Sequence, residues 1–270
     1  MLCIGTGTFS RVVRVEREDG TFVAKKTPIK KEYTFMLQQE AEILCCLAHP
    51  NIVGYIQHLE NPPLLYMEWI PETFLKFMER NTFSNSLFRD IFRQLIAGII
   101  YYQSHGIIHY DLKPENILVQ DNKQMKICDF GSAHVVGFDD APPQSLTSMW
   151  YRAPEHLLGD FSLRFVSDVW ALGVIALEFI RGDLFGVLAG QWEIEQQFNV
   201  FSLRGTPTEK TYPGVTDLDH YFKEIPQWPA RNLRYTLQDI DVDDDIRDML
   251  EESLEVNPDR RTSISLLHLS

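Results

Sequence analysis

The chain has no apolar run near the roughly 18 residues that a membrane span requires, so no membrane role is expected. Its first residues, Met1-Leu2-Cys3-Ile4, lack a basic stretch followed by an apolar one, and no secretory signal is expected. Cysteine is scarce: Cys3, Cys45, Cys46 and Cys128 have no metal-ligand spacing and read as free thiols in a reducing compartment. Basic charge is also short, with 25 Lys and Arg against 38 Asp and Glu, a net charge of −13. That balance argues against nucleic-acid binding, which depends on basic surface to displace counterions. Lys25-Lys26 and Lys30-Lys31 are too short to serve as a nuclear address. Internal repeats, low-complexity segments and long linkers are absent as well.

What remains is an ordinary globular composition. The 270 residues, 44% hydrophobic and 23% charged, suffice for one large or two modest cores. Near the start, 11–16 and 21–26 read as strands joined by a turn at Asp19-Gly20. Thr34 is placed to cap a helix running to about Ala48, with Leu37, Ala41, Leu44 and Ala48 at helical spacing. A strand over 64–69 ends before Pro71. Beyond it the pattern turns helical, around 87–105, 166–181, 191–204 and 243–254. The acidic run Asp239, Asp241, Asp243, Asp244 and Asp245 reads as a solvated loop.

The most informative stretch is His109 to Gln120, followed by Asp129-Phe130-Gly131. A carboxylate, a lysine, an amide and a second carboxylate in that order are what phosphoryl transfer from a nucleotide needs. Asp111 would take or orient the proton of an attacking hydroxyl, Lys113 would sit by the transferred group, and Asn116 and Asp129 would hold Mg²⁺. With Ala153-Pro154-Glu155 downstream, these residues resemble the protein-kinase family over nearly the whole chain. The resemblance implies an α+β fold of two lobes in one kinase domain: a small β-rich lobe over 1–69 and a larger, mainly helical lobe over 70–270.

It also implies a nucleotide site. Gly5-Thr6-Gly7-Thr8-Phe9-Ser10 is similar to the glycine-rich loop, with Ser10 in place of a third glycine. Only four residues precede Gly5, so a short first strand is expected. Val12, Ala24, Met67 and Leu118 would line the pocket, and main-chain groups of Glu68, Trp69 and Ile70 would meet the adenine edge. Lys26 takes the role of the phosphate-binding lysine. Its partner is sought on the following helix, where Glu40 shares the apolar face of Leu37 and Leu44 and so requires a cation, whereas Glu42 points to solvent. Leu44, Tyr55, His109 and Phe130 match the apolar stack joining the lobes. Glu155 is expected to pair with Arg261, and Asp168 to brace the catalytic loop. Ser148 favours alcohol acceptors over tyrosine, and Cys128 is expected to be an inert thiol.

Trp150 to Gly159, His49 to Val53 and Leu203 to Thr208 resemble the cyclin-dependent kinases, as does Tyr212-Pro213-Gly214-Val215. Retained Arg152 permits a preference for serine or threonine followed by proline. Three arginines that receive an activating phosphothreonine in that family are here Gln39, Tyr110 and His134. The acceptor position aligns near Pro143, leaving Ser145 and Thr147 as minor sites, and Phe9 replaces the inhibitory tyrosine. Thr34 to Glu40 does not carry the cyclin-contacting signature. The resulting expectation is a monomeric, ATP- and Mg²⁺-dependent serine/threonine kinase, nuclear or cytoplasmic, acting on protein hydroxyls without loop phosphorylation. Cyclin dependence is in doubt, and kinases that activate other cyclin-dependent kinases are the candidate subgroup. A pseudokinase scaffold is the main alternative, favoured by Tyr110 and Ser10 but opposed by the full set of charged residues. A small-molecule kinase accounts poorly for 148–155.

Overall fold

The computed structural model describes residues 2–6, 9–121, 123–137, 148–183 and 188–270; Gly7, Thr8, Pro143, Ser145 and Thr147 lie outside them. The chain opens with β1 (Leu2–Thr6), β2 (Ser10–Glu16) and β3 (Phe22–Pro28). β2 and β3 form the expected hairpin, Val12 facing Lys26, with Gly20 at φ +80° in the turn, where a side chain would be strained. Asp19 fastens that turn by accepting from the Thr21 N–H at 2.9 Å. Next come α1 (Thr34–Leu44), β4 (Tyr55–Glu60) and β5 (Pro63–Glu68), which complete an antiparallel sheet in the order β1-β2-β3-β5-β4.

Two details differ from expectation. Thr34 does not cap α1: it is the first helical residue, because the 3₁₀ turn Lys31–Tyr33 runs straight into the helix and leaves no extended position for a cap. The helix also stops at Leu44, four residues short of Ala48. β4 escaped the sequence pattern because none of its side chains is fully buried, three being half-buried and three exposed, so it lacks a clean alternation.

Past Glu68 the chain enters the helical part through β6 (Glu72–Thr73) and α2 (Phe74–Arg80), whose first turn is capped by the Thr73 hydroxyl. α3 (Asn85–Ser104) begins at Ser84, which accepts from the Leu87 N–H. It buries Phe88, Ile91, Phe92, Leu95, Ile99 and Tyr102, the single apolar stripe of a 3.6-residue period. β7 (Ile107–Ile108), β8 (Ile117–Val119), β9 (Met125–Ile127) and β10 (His134–Val135) follow in two small sheets, β6-β8-β9 and β10-β7. These short strands hold the two motif-bearing loops beneath the large sheet.

The remainder is α4 (Pro154–Leu157), α5 (Val166–Arg181), α6 (Glu193–Arg204), α7 (Leu233–Thr236) and α8 (Asp244–Ser253). α5 is buried nearly all round and ends at Gly182, φ +69°. The acidic run is only partly a solvated loop: Arg89 of α3 binds Asp243 and Asp245, each at 2.6 Å. Asp245 also accepts from the Ser270 N–H, and together these contacts hold its carboxyl down to about pKa 2. Among the described residues no helix is long and apolar enough to cross a membrane.

Candidate active site

Three charged side chains meet between the large sheet and the helical part. Lys26 comes from β3, Glu40 from α1 and Asp129 from the loop after β9. The Lys26 ammonium lies 2.5 Å from Glu40 Oε2 and 2.7 Å from Asp129 Oδ1. Alternation along β3 selects Lys26 over Lys25, and helical spacing selects Glu40 over Glu42, which is exposed. The direct Lys26–Asp129 pair was not foreseen; a contact spanning 103 residues leaves no local signal.

The triad is not charge-balanced, because two carboxylates share one ammonium. Burial pushes Glu40 up to about pKa 7; Lys26 opposes that shift and Asp129 adds to it. Burial also raises Asp129, but the charge and hydrogen bond of Lys26 overcome it and hold Asp129 near pKa 2. Lys26, despite burial, is raised by its two partners and stays cationic. Glu40 Oε1 is buried with no hydrogen-bond partner among the described residues. Asp129, by contrast, leaves 44% of its side chain exposed.

The second group is Asp111, Lys113, Asn116 and Ser148. The Asp111 carboxylate accepts from the Ser148 N–H at 2.9 Å through Oδ1. Through Oδ2 it accepts from Lys113 Nζ at 2.7 Å and Asn116 Nδ2 at 3.1 Å. A carboxylate offers about four acceptor positions, so three are filled and one remains for an incoming hydroxyl. Lys113 also donates to the Ser148 hydroxyl at 2.7 Å. Asn116 anchors itself to the Asp111 carbonyl at 2.8 Å, which leaves its side-chain oxygen as a ligating end.

Both loops are held in strained backbone. Tyr110 and Asp129 have φ of +63° and +65°, uncommon for residues with side chains and concentrated at functional sites. Asp168 of α5 supports the first loop by accepting from His109 N–H at 2.9 Å, Tyr110 N–H at 3.0 Å and the Tyr102 hydroxyl at 2.8 Å. His109 in turn packs on Phe130, ring centres 4.8 Å apart, and both are fully buried, as is Leu44; Tyr55 is half-buried.

The expected pocket lining is distributed above and below these groups. Gly5 pairs with Val12 across β1 and β2, Ala24 pairs with Met67 across β3 and β5, and Leu118 lies on β8. The Glu68 N–H is already bonded to Gly54 O, and its carboxylate to Gly54 N–H and Lys126. Its N–H therefore cannot serve a ligand, whereas Ile70 N–H has no main-chain partner among the described residues. A Cβ added to Gly131 would stand 3.3 Å from Asp129 Oδ1 and 3.7 Å from Glu40 Oε2, so the space beside the triad depends on glycine there. The half-open Asp129 carboxylate, held ionised by its neighbours, and the side-chain oxygen that Asn116 leaves open suit a hard divalent cation bridging phosphates. No cluster of three or more His, Cys, Asp or Glu that could hold a metal ion exists among the described residues.

Away from the cleft, Glu155 is joined to Arg261 by two hydrogen bonds of 2.9 and 2.8 Å, both side chains fully buried. Arg152 pairs with Glu193 of α6 at 2.5 Å, a partner the sequence did not suggest. Cys128 is pushed up by burial and by Asp129, consistent with an unreactive thiol. Cys45, Cys46 and Cys128 are unpaired.

Comparison with known proteins agrees with this geometry. The sequence profile of the protein kinase domain matches residues 2–268. A relative described as cell division control protein 2 homolog 3, from Trypanosoma brucei brucei, is 34% identical over 272 residues, covering 96% of this chain and 86% of its own.

Proposed function

The chain belongs to the protein kinase family, as a divergent member of its cyclin-dependent-kinase-like group, and from that premise we propose that it is a Mg·ATP-dependent serine/threonine kinase. The observation that carries this reading is the clamp on Asp111. Its carboxylate is held by Ser148, Lys113 and Asn116 with one acceptor position left open. A substrate hydroxyl hydrogen-bonded there passes its proton to Asp111 as its oxygen bonds to the γ-phosphorus and the bond to the β-phosphate oxygen breaks. ADP leaves and Lys113 offsets negative charge on the transferred group. Asn116 and Asp129 would hold Mg²⁺, which neutralises phosphate charge when bound. Lys26, fixed by Glu40, would meet the phosphates.

The Ser148 hydroxyl beside Lys113 and Asp111 supports alcohol acceptors over phenols, and buried Arg152 next to the peptide-facing segment is compatible with a following proline. Gln39, Tyr110 and His134, standing where the family keeps three arginines, support activity without a phosphate on the activation segment, since a dianion needs charged donors. Exposed Ile29 and Phe35, at the entrance to α1, favour a second reading in which a cyclin-like partner covers this helix.

The test is transfer of radiolabelled γ-phosphate to a basic protein and to Ser-Pro and Ser-Ala peptides by the phosphatase-treated single chain. Asp129→Asn and Lys26→Met serve as controls. Transfer by the unmodified chain, lost in both variants and greater for Ser-Pro, is the expected result. Thermal stabilisation by Mg·ATP without transfer would indicate a nucleotide-binding scaffold instead. Activity appearing only after cyclin is added would replace the autonomous enzyme with the partner-dependent one.

A further inference from the structure

Tyr110 occupies the centre of the catalytic loop in a left-handed conformation, and the Asp111 N–H closes a tight turn across it onto His109 O at 2.9 Å. Its ring is 8% exposed. On one side it meets His134 of β10, edge to face, with centroids 5.6 Å apart. On another it meets His156 of α4 at 5.4 Å. His156 stacks on Phe161 at 6.0 Å, and Phe161 meets His220 at 6.4 Å. His220 is itself anchored, its N–H donating to Leu158 O at 3.0 Å. Five rings thus form a continuous path from the segment after Asp129, through the catalytic loop, to the helix after the peptide platform and the insertion beyond it.

The histidines of this path are anchored to neighbouring segments. His134 is fixed by Nδ1 to Ser132 O at 2.9 Å. Gln39 reaches from α1 and donates to Ala133 O at 3.0 Å, beside His134. His156 lies next to Glu155, the partner of Arg261, and contacts Ser167 on α5 at 3.3 Å. Burial lowers the pKa of His156, with Glu155 opposing, so that ring is held neutral. The Tyr110 hydroxyl is buried and makes no hydrogen bond of good geometry among the described residues, the Arg164 main chain being its one near donor. The fold therefore holds the residue chiefly by its ring.

We propose that Tyr110 is a positioning residue: its ring, gripped by His134 and His156, ties both ends of the activation segment to the catalytic loop by aromatic packing, without a phosphate. The proposal rests on the reading of an enzyme active without loop phosphorylation and supplies its physical basis. The ring holds Asp111, the next residue, against Ser148 while the two histidines hold the segment's flanks.

The test compares wild type with Tyr110→Phe, Tyr110→Ala and His134→Ala, by steady-state kinetics and by amide hydrogen exchange over 130–137 and 148–157. Tyr110→Phe keeps the ring and should retain wild-type kcat and protection. Tyr110→Ala should lower kcat by about tenfold to a hundredfold, the scale of a small misplacement of reacting groups, with the KM for ATP nearly unchanged. It should also lose protection in both segments. His134→Ala should lose protection in 130–137 and decides the matter if Tyr110→Ala does not fold. Unchanged kcat and protection in the alanine variants would overturn the proposal, as would a Phe variant as impaired as the Ala variant. If wild type transfers no phosphate, the exchange data stand alone: lost protection upholds the clamp while the enzyme reading falls.

Discussion

Two buried ion clusters in this molecule have similar ingredients and opposite character. Glu155 and Arg261 form a one-to-one pair with two parallel hydrogen bonds, and both side chains are wholly inaccessible. Further donors of Arg261 are bound by the carbonyls of Glu255 and Val166. The cleft cluster instead gives one ammonium to two carboxylates, leaves Glu40 Oε1 unpartnered and opens Asp129 to solvent. Burial raises both glutamates and a cation lowers both, yet the net shifts are opposite. Although burial opposes it, Arg261 draws Glu155 down to about pKa 2, whereas burial outweighs Lys26 and lifts Glu40 to about 7. A complete cluster behaves as a staple between α4 and the chain's end. An incomplete, over-acidic one would serve as a receptor, being short of the positive charge that a metal ion brings.

The same substitution at both sites breaks or sustains that contrast, and the larger effect belongs to the staple. Glu155→Gln leaves Arg261 buried and uncompensated, which should cost roughly 3–5 kcal/mol of unfolding free energy, readable as a fall in denaturation midpoint. Replacing Glu155 and Arg261 together with apolar residues should recover much of that loss, because no lone charge then remains. A Glu155→Gln variant as stable as wild type would remove the distinction between staple and receptor.

The parts of this arrangement that were legible in the sequence are those fixed by local spacing. Asp111, Lys113, Asn116 and Asp129 carry a pattern within 19 residues, and Glu40 is marked by sharing the helical face of Leu37 and Leu44. Long-range partners were legible only through the family resemblance, as with Glu155 and Arg261. Where the resemblance was silent the contacts were missed: Lys26 with Asp129, Arg152 with Glu193 and Arg89 with Asp243 each join distant segments with no periodic signature. The cap expected at Thr34 failed for a local reason, the 3₁₀ turn feeding directly into α1. Glu178 offered an unread signal. An acid within the otherwise apolar α5 required a partner, and the Tyr151 hydroxyl supplies it at 2.9 Å.

In the cleft, Glu40→Gln should be mild in stability and marked in activity. Lys26 keeps Asp129, so the loss is on the order of one hydrogen bond, less than about 1.5 kcal/mol. Phosphate transfer should fall about tenfold to a hundredfold, because Lys26 is no longer held towards α1. The pH dependences should also run in opposite senses. Folded Glu40 holds a proton above its ordinary value of 4.5 and releases it near 7, so its contribution to stability is present below 4.5 and lost as pH rises through 7. For Glu155 the contribution is complete above 4.5 and lost as pH falls towards 2. Denaturant unfolding at pH 5 and pH 8 should therefore show Glu40→Gln gaining on wild type at the higher pH. A gain at the lower pH would show that Glu40 is held ionised and that the cleft is not over-acidic.

The smallest change that separates receptor from staple adds a single methyl group. In Gly131→Ala the new Cβ would lie 3.3 Å from Asp129 Oδ1, tighter than ordinary contact but short of a severe clash. The backbone at 131 is not in the left-handed region, so the substitution carries no conformational strain of its own. Asp129 has room to yield, since its side chain is nearly half exposed, and stability should change by less than about 1 kcal/mol. What yields is the orientation of the oxygen that Lys26 holds and, with it, the position of the open oxygen offered to a cation. Transfer should drop about tenfold and the Mg²⁺ concentration for half-maximal rate should rise, while the unfolding midpoint stays near wild type. An unchanged metal requirement in this variant would mean that the oxygen beside Gly131 is not on the ligand's side of the cluster.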